Sequence, residues 1–562
     1  MQRRWIFPAA SDAASLSRVR HEADVPDFLA ELLLKRGVAD GISAEAYLKP
    51  RLRSLSAPEQ LPEMEAAVAR ILAAMDRREK VVLYGDYDVD GITSLAILAR
   101  FFKTCGIAVP CFLPLRAQEG YGLSEAGLER CLEMHAPQLL LAVDCGTTSV
   151  REIAALRRRG VDVIVLDHHE PGAARPDCVA LVNPKCGAEF HYLCSAGVVF
   201  KLAHAILKAR PLEGLDLKEY LDLVALATVA DIVPLVEENR IFVSHGLRQM
   251  ERTRWAGLAA LQRVADVPTP VKAGDISFRM GPRINAAGRL GPAMDALQLL
   301  LTDDPSEASR LAEGLDAHNR ERQGVERHVV RDAEEWVAKN FNPDTQASIV
   351  AGSRDWHIGV LGVVASRIMR QYHRPTFIIG FDESGAGKGS GRSIEGLPLV
   401  AMLRDCAGHL EKFGGHDMAA GISLSESSLP AFREAFEAVA QAIANEEMLA
   451  PRLRLDCELG LGDIDASVLE SQDLLEPFGN SNPQPVMFSR AVAPAGEPRV
   501  MKEKHLRIDF LCGRRRVPAI FFNAPVSAMP RPPWDIAYTL DWNVWQGRAE
   551  PQLRIVEVRH AE

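Results

Sequence analysis

This chain of 562 residues lacks three features that would place it in common classes of protein. No apolar run reaches the ~20 residues of a membrane-spanning helix, and the best candidate is interrupted by Asp222 and Asp231. No long apolar region follows the arginines of residues 1–8, so we expect no secretory signal there. The ten cysteines form no C-x-x-C pair, which predicts reduced thiols in a cytoplasmic protein rather than a disulfide framework.

An excess of basic residues is also missing, since the formal net charge is −10. Net charge governs solubility and long-range encounter, whereas affinity for phosphates comes from local basic patches. Residues 490–560 are locally basic, with twelve Lys and Arg against seven Asp and Glu. The acidic total therefore does not exclude nucleic acid as a partner. An apolar fraction of 47% is enough for the cores of several conventional domains.

The most informative segment is an apolar stretch, residues 81–84, that leads into Asp86, Asp88 and Asp90 and then into a predicted helix. Three carboxylates so close repel one another unless a cation or strong pKa shifts relieve the charge. An EF-hand is excluded, because its twelfth position would be Ile97 in place of Glu and the loop follows a strand. The remaining alternative is a solvated turn with one helix N-cap. We favour a cation site.

Similar patterns follow further along the chain. Apolar runs at 139–143 and 161–166 end in Asp144 and in Asp167-His168-His169, and the apolar run 221–230 delivers Asp231. Stretches of helical period, such as 92–102 and 150–158, separate the predicted strands. Alternating strands and helices predict a parallel sheet, which binds ligands outside the carboxyl ends of its strands. We therefore expect all the acidic positions to converge on one crevice.

The residue types indicate which metal this crevice would hold. Oxygen ligands with one or two imidazoles suit manganese or magnesium, whereas zinc usually recruits thiolates or several histidines. Cys145 is the nearest thiol, but it faces the opposite side of its strand from Asp144 and is predicted to be a buried small hydrophobe.

These segments resemble the DHH phosphoesterase superfamily. The resemblance rests on Asp86–Gly91, Asp144–Gly146, Asp167–His169 and Ala230–Asp231. Further motifs resemble its bacterial single-strand-specific DNA exonucleases and extend the likeness over nearly the whole chain: Leu34–Gly37, Tyr47–Pro50, Arg116 with Glu119–Gly122, Gly281–Leu290 and Asn319–Gln323.

The resemblance implies an α/β protein with three folded parts. A parallel-sheet DHH domain with an N-terminal segment (1–300) is joined by a long helix (301–342) to a second α/β domain, the DHH-associated domain (343–448). Short predicted strands near 507–511, 517–522, 534–540 and 552–558 indicate a C-terminal β-barrel (449–562), which resembles oligonucleotide-binding (OB) folds.

The resemblance also implies a catalytic centre with two divalent cations, Mn²⁺ or Mg²⁺, about 3.5–4 Å apart. Asp144 would bridge the ions, Asp88 and Asp90 would bind one ion each, and His168 and Asp231 would complete the second site. Asp86 stands near a position where many relatives have a histidine ligand. His169 would face the scissile phosphate, and Asp167 would orient the imidazoles.

Substrate contacts are implied in two further places. Two glycine-rich segments, 385–393 and 413–416, are predicted loops of the DHH-associated domain and would hold the terminal nucleotide through Ser390, Arg392 and His416. Without the resemblance, a flexible surface loop is the simpler interpretation. Arg116, Arg283 and Arg289 would bind phosphate from the first domain.

The C-terminal module offers basic side chains and aromatic rings. Its candidate contacts to a nucleic-acid backbone are Lys502, Lys504, His505, Arg507, Arg514, Arg515 and Arg516, and the alternative is a solvated charged face. Three aromatic residues, Phe521, Phe522 and Trp545, are predicted to be core rather than stacking platforms.

The ligand pattern alone indicates metal-dependent phosphoester hydrolysis. The resemblance adds single-stranded DNA as the substrate, digestion from the 5′ end to 5′ mononucleotides, and a role in DNA repair and recombination. A helicase and a single-strand-binding protein are expected partners of a monomeric enzyme. The alternatives are a phosphodiesterase of short oligoribonucleotides or cyclic dinucleotides and a non-catalytic DNA-binding relative.

Overall fold

The computed structural model describes residues 3–115, 119–120 and 122–561, except for the side chains of Arg289 and Leu290. The described chain divides into two compact units. The larger unit contains Phe7–Asp316 and the chain from Arg454 onward, and the smaller unit contains Ala317–Leu453 with the N-terminal residues up to Ile6.

The strands in chain order are β1 (Arg4–Ile6), β2 (Val81–Tyr84), β3 (Cys111–Phe112), β4 (Leu139–Val143), β5 (Asp162–Leu166), β6 (Ala180–Val182), β7 (Ile349–Ser353), β8 (Thr376–Phe381), β9 (Ala386–Arg392), β10 (Lys412–Gly415), β11 (Ala419–Ser425), β12 (Arg452–Arg454), β13 (Cys457–Glu458), β14 (Met487–Val492), β15 (Arg499–Met501), β16 (His505–Cys512), β17 (Arg515–Phe521), β18 (Trp534–Trp545) and β19 (Arg548–His560).

The helices are α1 (Ala13–Ala23), α2 (Asp27–Lys35), α3 (Gly41–Leu48), α4 (Met64–Arg77), α5 (Val89–Thr104), α6 (Glu125–His135), α7 (Val150–Arg158), α8 (Ser195–Ala209), α9 (Leu221–Ala230), α10 (Glu237–Met250), α11 (Ala256–Val264), α12 (Ala273–Asp275), α13 (Gly281–Leu290), α14 (Ala293–Leu301), α15 (Pro305–Asn340), α16 (Leu361–Tyr372), α17 (Leu399–Asp405), α18 (Leu429–Ile443), α19 (Glu446–Leu449) and α20 (Ala466–Asp473), with a π-helical turn at Ile276–Met280. The long connecting helix expected within residues 301–342 is observed as α15. No helix among the described residues is both long and apolar enough to cross a bilayer.

The larger unit contains the predicted parallel sheet, with strand order β3-β2-β4-β5-β6. Every residue of β4 is buried, because apolar clusters cover both faces of the sheet. Leu141 faces one cluster and Leu140 the other, as alternation along a strand requires. The carboxyl ends of β2, β4 and β5 are neighbours at one edge of the sheet, which positions the loops that follow them.

One predicted run adopts a different structure. The apolar residues before Asp231 form helix α9, not a strand end like the other three. All but the last residue of α9 are buried, so the helix shows no polar face and its sequence looks like a buried strand. Asp231 is the C-cap of this helix.

The C-terminal module forms a seven-stranded sheet with order β13-β14-β18-β19-β17-β16-β15. Its apolar core also includes residues of α1, α2 and α3, among them Val19, Leu29 and Leu33. The N-terminal segment therefore shares a core with the C-terminal module, although the expected division grouped it with the DHH domain.

The smaller unit contains a five-stranded sheet with order β10-β11-β9-β8-β7, in which only β7 and β8 are parallel. The two glycine-rich segments, predicted as loops, are strands β9 and β10. Glycine is needed in β9 because a Cβ on Gly387 or Gly391 would lie 2.4 Å from the ring of Phe381 or Phe377. The glycines thus make room for an aromatic core, a packing role that composition alone did not indicate.

Candidate metal centre

The aspartate-rich loop lies between β2 and α5. Asp88 is the N-cap of α5, and its Oδ1 accepts a hydrogen bond of 3.0 Å from the Gly91 amide. A Cβ on Gly91 would lie 2.6 Å from the carbonyl oxygen of Asp86, so only glycine permits this tight turn. The turn brings Asp86 and Asp88 within 4.8 Å of Asp144, which follows the neighbouring strand β4.

Asp90 and Asp144 are both 1% exposed and are held by the beginning of helix α8. The amides of Ser195 and Ala196 donate to Asp90 at 2.7 and 2.9 Å, and the Ser195 hydroxyl donates to Asp144 Oδ1 at 2.8 Å. Amides at a helix N-terminus favour negative charge, so α8 stabilises both carboxylates. No sequence pattern predicts this role of Ser195, which is 105 residues from Asp90 and has no local motif of its own.

The imidazole of His168 lies at the centre of the cluster. Its Nε2 is 3.4 Å from Asp144 Oδ1, 3.5 Å from Asp231 Oδ2 and 3.7 Å from Asp90 Oδ2. These distances exceed those of N–H···O hydrogen bonds, but ligand atoms that share an ion bound at about 2.1 Å are separated by roughly 3 Å. The spacing fits atoms that surround an ion, and Asp90, His168 and Asp231 form one potential ligand set.

Burial and mutual repulsion disfavour the ionised form of several carboxylates in this cluster. Burial raises the pKa of Asp90 to about 6, and repulsion by Asp88 adds to the effect. Burial and then repulsion by Asp90 and Asp88 raise the pKa of Asp231 to about 8 and that of Asp144 well above its usual range. Bound cations would remove this penalty, because an opposite charge favours the ionised form. Both the donor atoms and their charge therefore fit divalent cations.

The two histidines differ in protonation. Burial, followed by the charge of His169, lowers the pKa of His168 to about 4, so its imidazole is neutral as a metal ligand must be. Burial also works to lower the pKa of His169, but its 2.8 Å contact with Asp167 overrides this and raises the pKa to about 9. The contact with Asp167 therefore favours the protonated form of His169, whose side chain is 41% exposed.

The carboxylate of Asp167 binds the backbone amides of both histidines. Its carboxylate accepts from the amides of Thr147, His168 and His169 at 3.0, 2.7 and 3.2 Å. Burial works to raise the pKa of Asp167, but the hydrogen bond and charge of His169 keep it well below its usual range. Asn183, which also lies outside the predicted motifs, donates to Thr147 Oγ1 and to the His169 carbonyl, both at 2.9 Å.

Helix α13 packs closely against this centre. A Cβ on Gly281 would lie 3.4 Å from Ala230 Cβ, and one on Gly288 would lie 3.1 Å from the Tyr87 carbonyl oxygen. Gly288 therefore lets the α13 backbone approach the loop that carries Asp88, whereas a Cβ on Gly281 would make only an ordinary contact with Ala230. The close approach gives a physical reason for Gly288 in the motif at 281–290.

Of the three arginines predicted to bind phosphate, the structure describes the side chain of Arg283 alone. Arg283 is committed to the fold: it pairs with Asp316 at 2.9 Å and donates to the carbonyl oxygens of Arg279 and Val264. A phosphate contact by Arg283 would have to compete with these bonds, and its role as a phosphate ligand stays a prediction. Arg116 lies outside the described residues, as does the side chain of Arg289.

Ser390, Arg392 and His416 belong to the smaller unit. Arg392 donates to Ser390 Oγ at 3.1 Å, and a Cβ on Gly362, near the start of α16, would lie 3.1 Å from the Arg392 guanidinium. The hydroxyl, the guanidinium and the start of a helix are thus adjacent. His416 is exposed in the turn between β10 and β11.

The surrounding chain confirms one packing prediction and corrects another. Cys145 is 2% exposed within an apolar cluster, as predicted. Phe521 is also buried, but the prediction that Phe522 and Trp545 are core is wrong, because they are 42% and 72% exposed. The guanidinium of Arg554 lies 5.2 Å from the centre of the Phe522 ring. The predicted basic contacts, Lys502, Lys504, Arg507, Arg514, Arg515 and Arg516, are exposed, and His505 is partly buried.

Comparison with known proteins assigns this architecture to a class. The models of the DHH family, N-terminal domain, the DHHA1 domain and the RecJ OB domain match residues 80–228, 345–442 and 455–557. The chain therefore has the domain set of DHH proteins with a DHHA1 domain, and the predicted fold class is confirmed.

Individual relatives narrow the class to a family. The single-stranded-DNA-specific exonuclease RecJ of Bacillus subtilis (strain 168) is 34% identical over 571 residues, which cover 100% of this chain and 71% of the relative. Two structures of RecJ from Thermus thermophilus each cover 100% of this chain. For the complex with Mn²⁺ the TM-score is 0.85, the sequence identity is 32%, and 80% of that chain is covered. For the complex with Mg²⁺ the TM-score is 0.79, the sequence identity is 30%, and 79% of that chain is covered. The chain belongs to the RecJ family of single-stranded-DNA-specific exonucleases.

Proposed function

We propose that this chain is a metal-dependent exonuclease that hydrolyses single-stranded DNA from the 5′ end to 5′ mononucleotides, in DNA repair and recombination. The main support is one cluster of buried carboxylates around the neutral His168, beside the cationic His169. The names of its relatives support single-stranded DNA as the substrate, and the two solved complexes support Mn²⁺ and Mg²⁺ as cofactors.

Two sets of side chains are proposed to hold the ions. Asp86, Asp88 and Asp144 would form one set, and Asp90, His168 and Asp231 the other. Asp144 contacts both sets, because its Oδ1 also lies 3.4 Å from His168, so it is our choice of shared ligand. When bound, a pair of divalent cations supplies an activated water and stabilises charge on the phosphoryl group during in-line displacement.

The residues of the chain contribute orientation and charge. The α8 amides and the Ser195 hydroxyl fix Asp90 and Asp144 before substrate arrives, so little reorganisation is needed. His169, held by Asp167, presents a cationic imidazole that can donate a hydrogen bond to a phosphate oxygen or a proton to the leaving oxygen. We assign His169 this role and Asp167 the role of orienting it.

The direction of digestion is proposed to come from the smaller unit. Ser390 and Arg392 lie side by side near the start of α16, and His416 is exposed in the β10–β11 turn. A hydroxyl, a guanidinium and backbone amides at a helix start are suitable donors for a terminal phosphate. We propose that they bind the 5′ phosphate. Arg116 and Arg289, which belong to the larger unit, are proposed by themselves to bind phosphates of the strand.

The C-terminal module is proposed to bind the rest of the strand. Exposed rings of Phe522 and Trp545 offer stacking surfaces, and the exposed basic residues of β16, β17 and their turns offer phosphate contacts. We further propose that the enzyme works as a monomer, alongside a helicase and a single-strand-binding protein. The ten free cysteines support a reducing, cytoplasmic compartment.

A degradation assay tests the proposal. The full chain is incubated with Mn²⁺ and a single-stranded oligonucleotide that carries its label at the 5′ or the 3′ end, and with matched duplex DNA and RNA. The 5′ label should appear at once as a mononucleotide, while the 3′ label should remain in a shortening ladder, and duplex and RNA should persist. Metal-independent release, digestion from the 3′ end, or equal loss of duplex or RNA would contradict the proposal.

A further inference from the structure

The residue that follows Asp231 has a strained backbone. Ile232 has a φ of +59°, in the left-handed region that β-branched residues avoid, and its side chain is 69% exposed. Its side chain is therefore not held by burial. Such a conformation persists only where the surrounding structure fixes it, and strained residues cluster at functional sites.

The carbonyl group of this strained residue is held by Asn480. Asn480 Nδ2 donates to the Ile232 carbonyl oxygen at 2.6 Å, and the Asn480 carbonyl oxygen accepts from the Leu235 amide at 2.9 Å. A Cβ on Gly479 would lie 2.6 Å from Leu235 Cδ1, so the two segments are in close contact. Asn480 thus bonds to both ends of the 232–235 loop.

The segment that carries Asn480 is itself rigid. Gly479 and Asn482 exchange backbone hydrogen bonds of 2.9 and 3.1 Å. Asn482 is 2% exposed, and its Oδ1 accepts from Tyr47 Oη at 2.7 Å and from Arg36 Nε at 3.0 Å. The N-terminal helices and the C-terminal module, which share one apolar core, therefore fix the position of Asn480.

Pro234, near the other end of the loop, is anchored to the segment that leads into α8. Asn239, in the first turn of α10, donates to the Pro234 carbonyl at 2.9 Å and to the Tyr192 carbonyl at 2.5 Å. Tyr192 lies three residues before Ser195, which binds Asp90 and Asp144. The loop after Asp231 is thus joined to the α8 start on one side and to Asn480 on the other.

We propose that Asn480 is a positioning residue for the metal ligand Asp231. By holding Ile232 in the left-handed conformation, it keeps the Asp231 carboxylate directed at His168, 3.5 Å away. The segment that leads into the C-terminal β-module thereby completes one ligand set of the metal centre, in addition to any role of that module in binding the strand. This inference rests on the metal centre of the proposed function.

Calorimetric titration of the full chain with Mn²⁺, in the absence of nucleic acid, tests this role. Asn480→Ala should weaken one of the two Mn²⁺ sites about tenfold, as expected when a group that orients a ligand is removed. In kinetic assays kcat should fall, while KM for single-stranded DNA should change less than about twofold. Ser481→Ala, a change at the exposed neighbouring residue, is the matched control and should leave both Mn²⁺ sites unchanged.

A second-site change distinguishes positioning from general packing. Asn adopts left-handed backbone more readily than Ile, so Ile232→Asn in the Asn480→Ala background should restore most of the lost Mn²⁺ affinity. Unchanged Mn²⁺ binding in Asn480→Ala would overturn the inference, and so would a loss that Ile232→Asn does not restore. A wild-type chain that binds no Mn²⁺ would instead refute the proposed function itself.

Discussion

The metal centre and the outer face of the C-terminal module present their functional groups in opposite ways. At the metal centre, Asp90 and Asp144 are almost fully buried and are fixed by hydrogen bonds to the start of α8. On the C-terminal module, Phe522 and Trp545 project into solvent. A fixed set of charges suits chemistry at one phosphate, whereas exposed rings suit contact with many bases in turn. We therefore predict that substitutions at the metal centre lower kcat, and that substitutions of Phe522 or Trp545 weaken the binding of single-stranded DNA, each with little effect on the other quantity.

The largest effect is expected from the shared ligand. Asp144→Ala should lower kcat roughly a thousandfold, because it removes the carboxylate that contacts both ligand sets. Affinity for single-stranded DNA, measured by fluorescence anisotropy, should change little. Glu213→Ala, at an exposed carboxylate, is the control. If Asp144→Ala loses DNA affinity but keeps its kcat, the expected separation between the metal centre and the DNA-binding surface is contradicted.

The second prediction concerns the cationic imidazole. His169→Asn should lower kcat about a hundredfold, because it removes the imidazole that we propose faces the phosphate, and it should leave Mn²⁺ affinity unchanged. Single-turnover kinetics and calorimetry measure the two quantities. His169 also lies within 4.8 Å of Asp144 and His168, so weaker Mn²⁺ binding in this variant would show instead that it is a metal ligand.

The third prediction addresses the other side of the comparison. Phe522→Ala and Trp545→Ala should each weaken the binding of single-stranded DNA about tenfold and leave kcat at saturating substrate unchanged, because a lost stacking contact costs about 1–3 kcal/mol. Val500→Ala removes an exposed but non-aromatic side chain of the same sheet and should have no effect on binding. If all three variants bind single-stranded DNA equally well, Phe522 and Trp545 do not act as stacking surfaces.

The smallest expected effect is on stability, and it concerns Asp222, a buried acid of the larger unit that belongs to neither ligand set. Asp222 is fully buried and accepts hydrogen bonds from Thr253 and Trp255, and burial raises its pKa to about 6. A raised folded-state pKa gives stability that is present at low pH and is lost as the pH rises through 6.

Urea unfolding at different pH values measures the contribution of Asp222. Between pH 5 and pH 8, the wild type should lose about 1–2 kcal/mol relative to Asp222→Asn, and kcat should be the same in both. A pH-independent difference between the two proteins, or a strong loss of activity in Asp222→Asn, would contradict a purely structural role.

The convergence of the acidic residues could be predicted from the sequence where their positions follow from the sheet topology. In a parallel sheet the carboxyl ends of adjacent strands meet, so Asp86, Asp144 and Asp167 had to lie together once their strands were recognised. Ser195 and Asn480 could not be found in this way. Each of them makes two hydrogen bonds to segments distant in sequence, and no local pattern marks such contacts.

Other errors come from burial that the sequence does not encode locally. Helix α9 is buried on every side, so its apolar run lacks helical periodicity. Strand β9 is rich in glycine because aromatic rings of β8 occupy the space of its side chains. Trp545 was predicted to be core from its ring alone, and only the register of β18 with β19 places it at the exposed end of a hairpin.

The central claim is that two ligand sets, distant in sequence, hold a pair of cations in one pocket. Anomalous diffraction at the manganese edge from crystals grown with Mn²⁺ tests it most directly. We predict two peaks, one contacting Asp86, Asp88 and Asp144 and the other contacting Asp90, His168 and Asp231. The absence of both peaks, or manganese bound only at other side chains, would contradict the account.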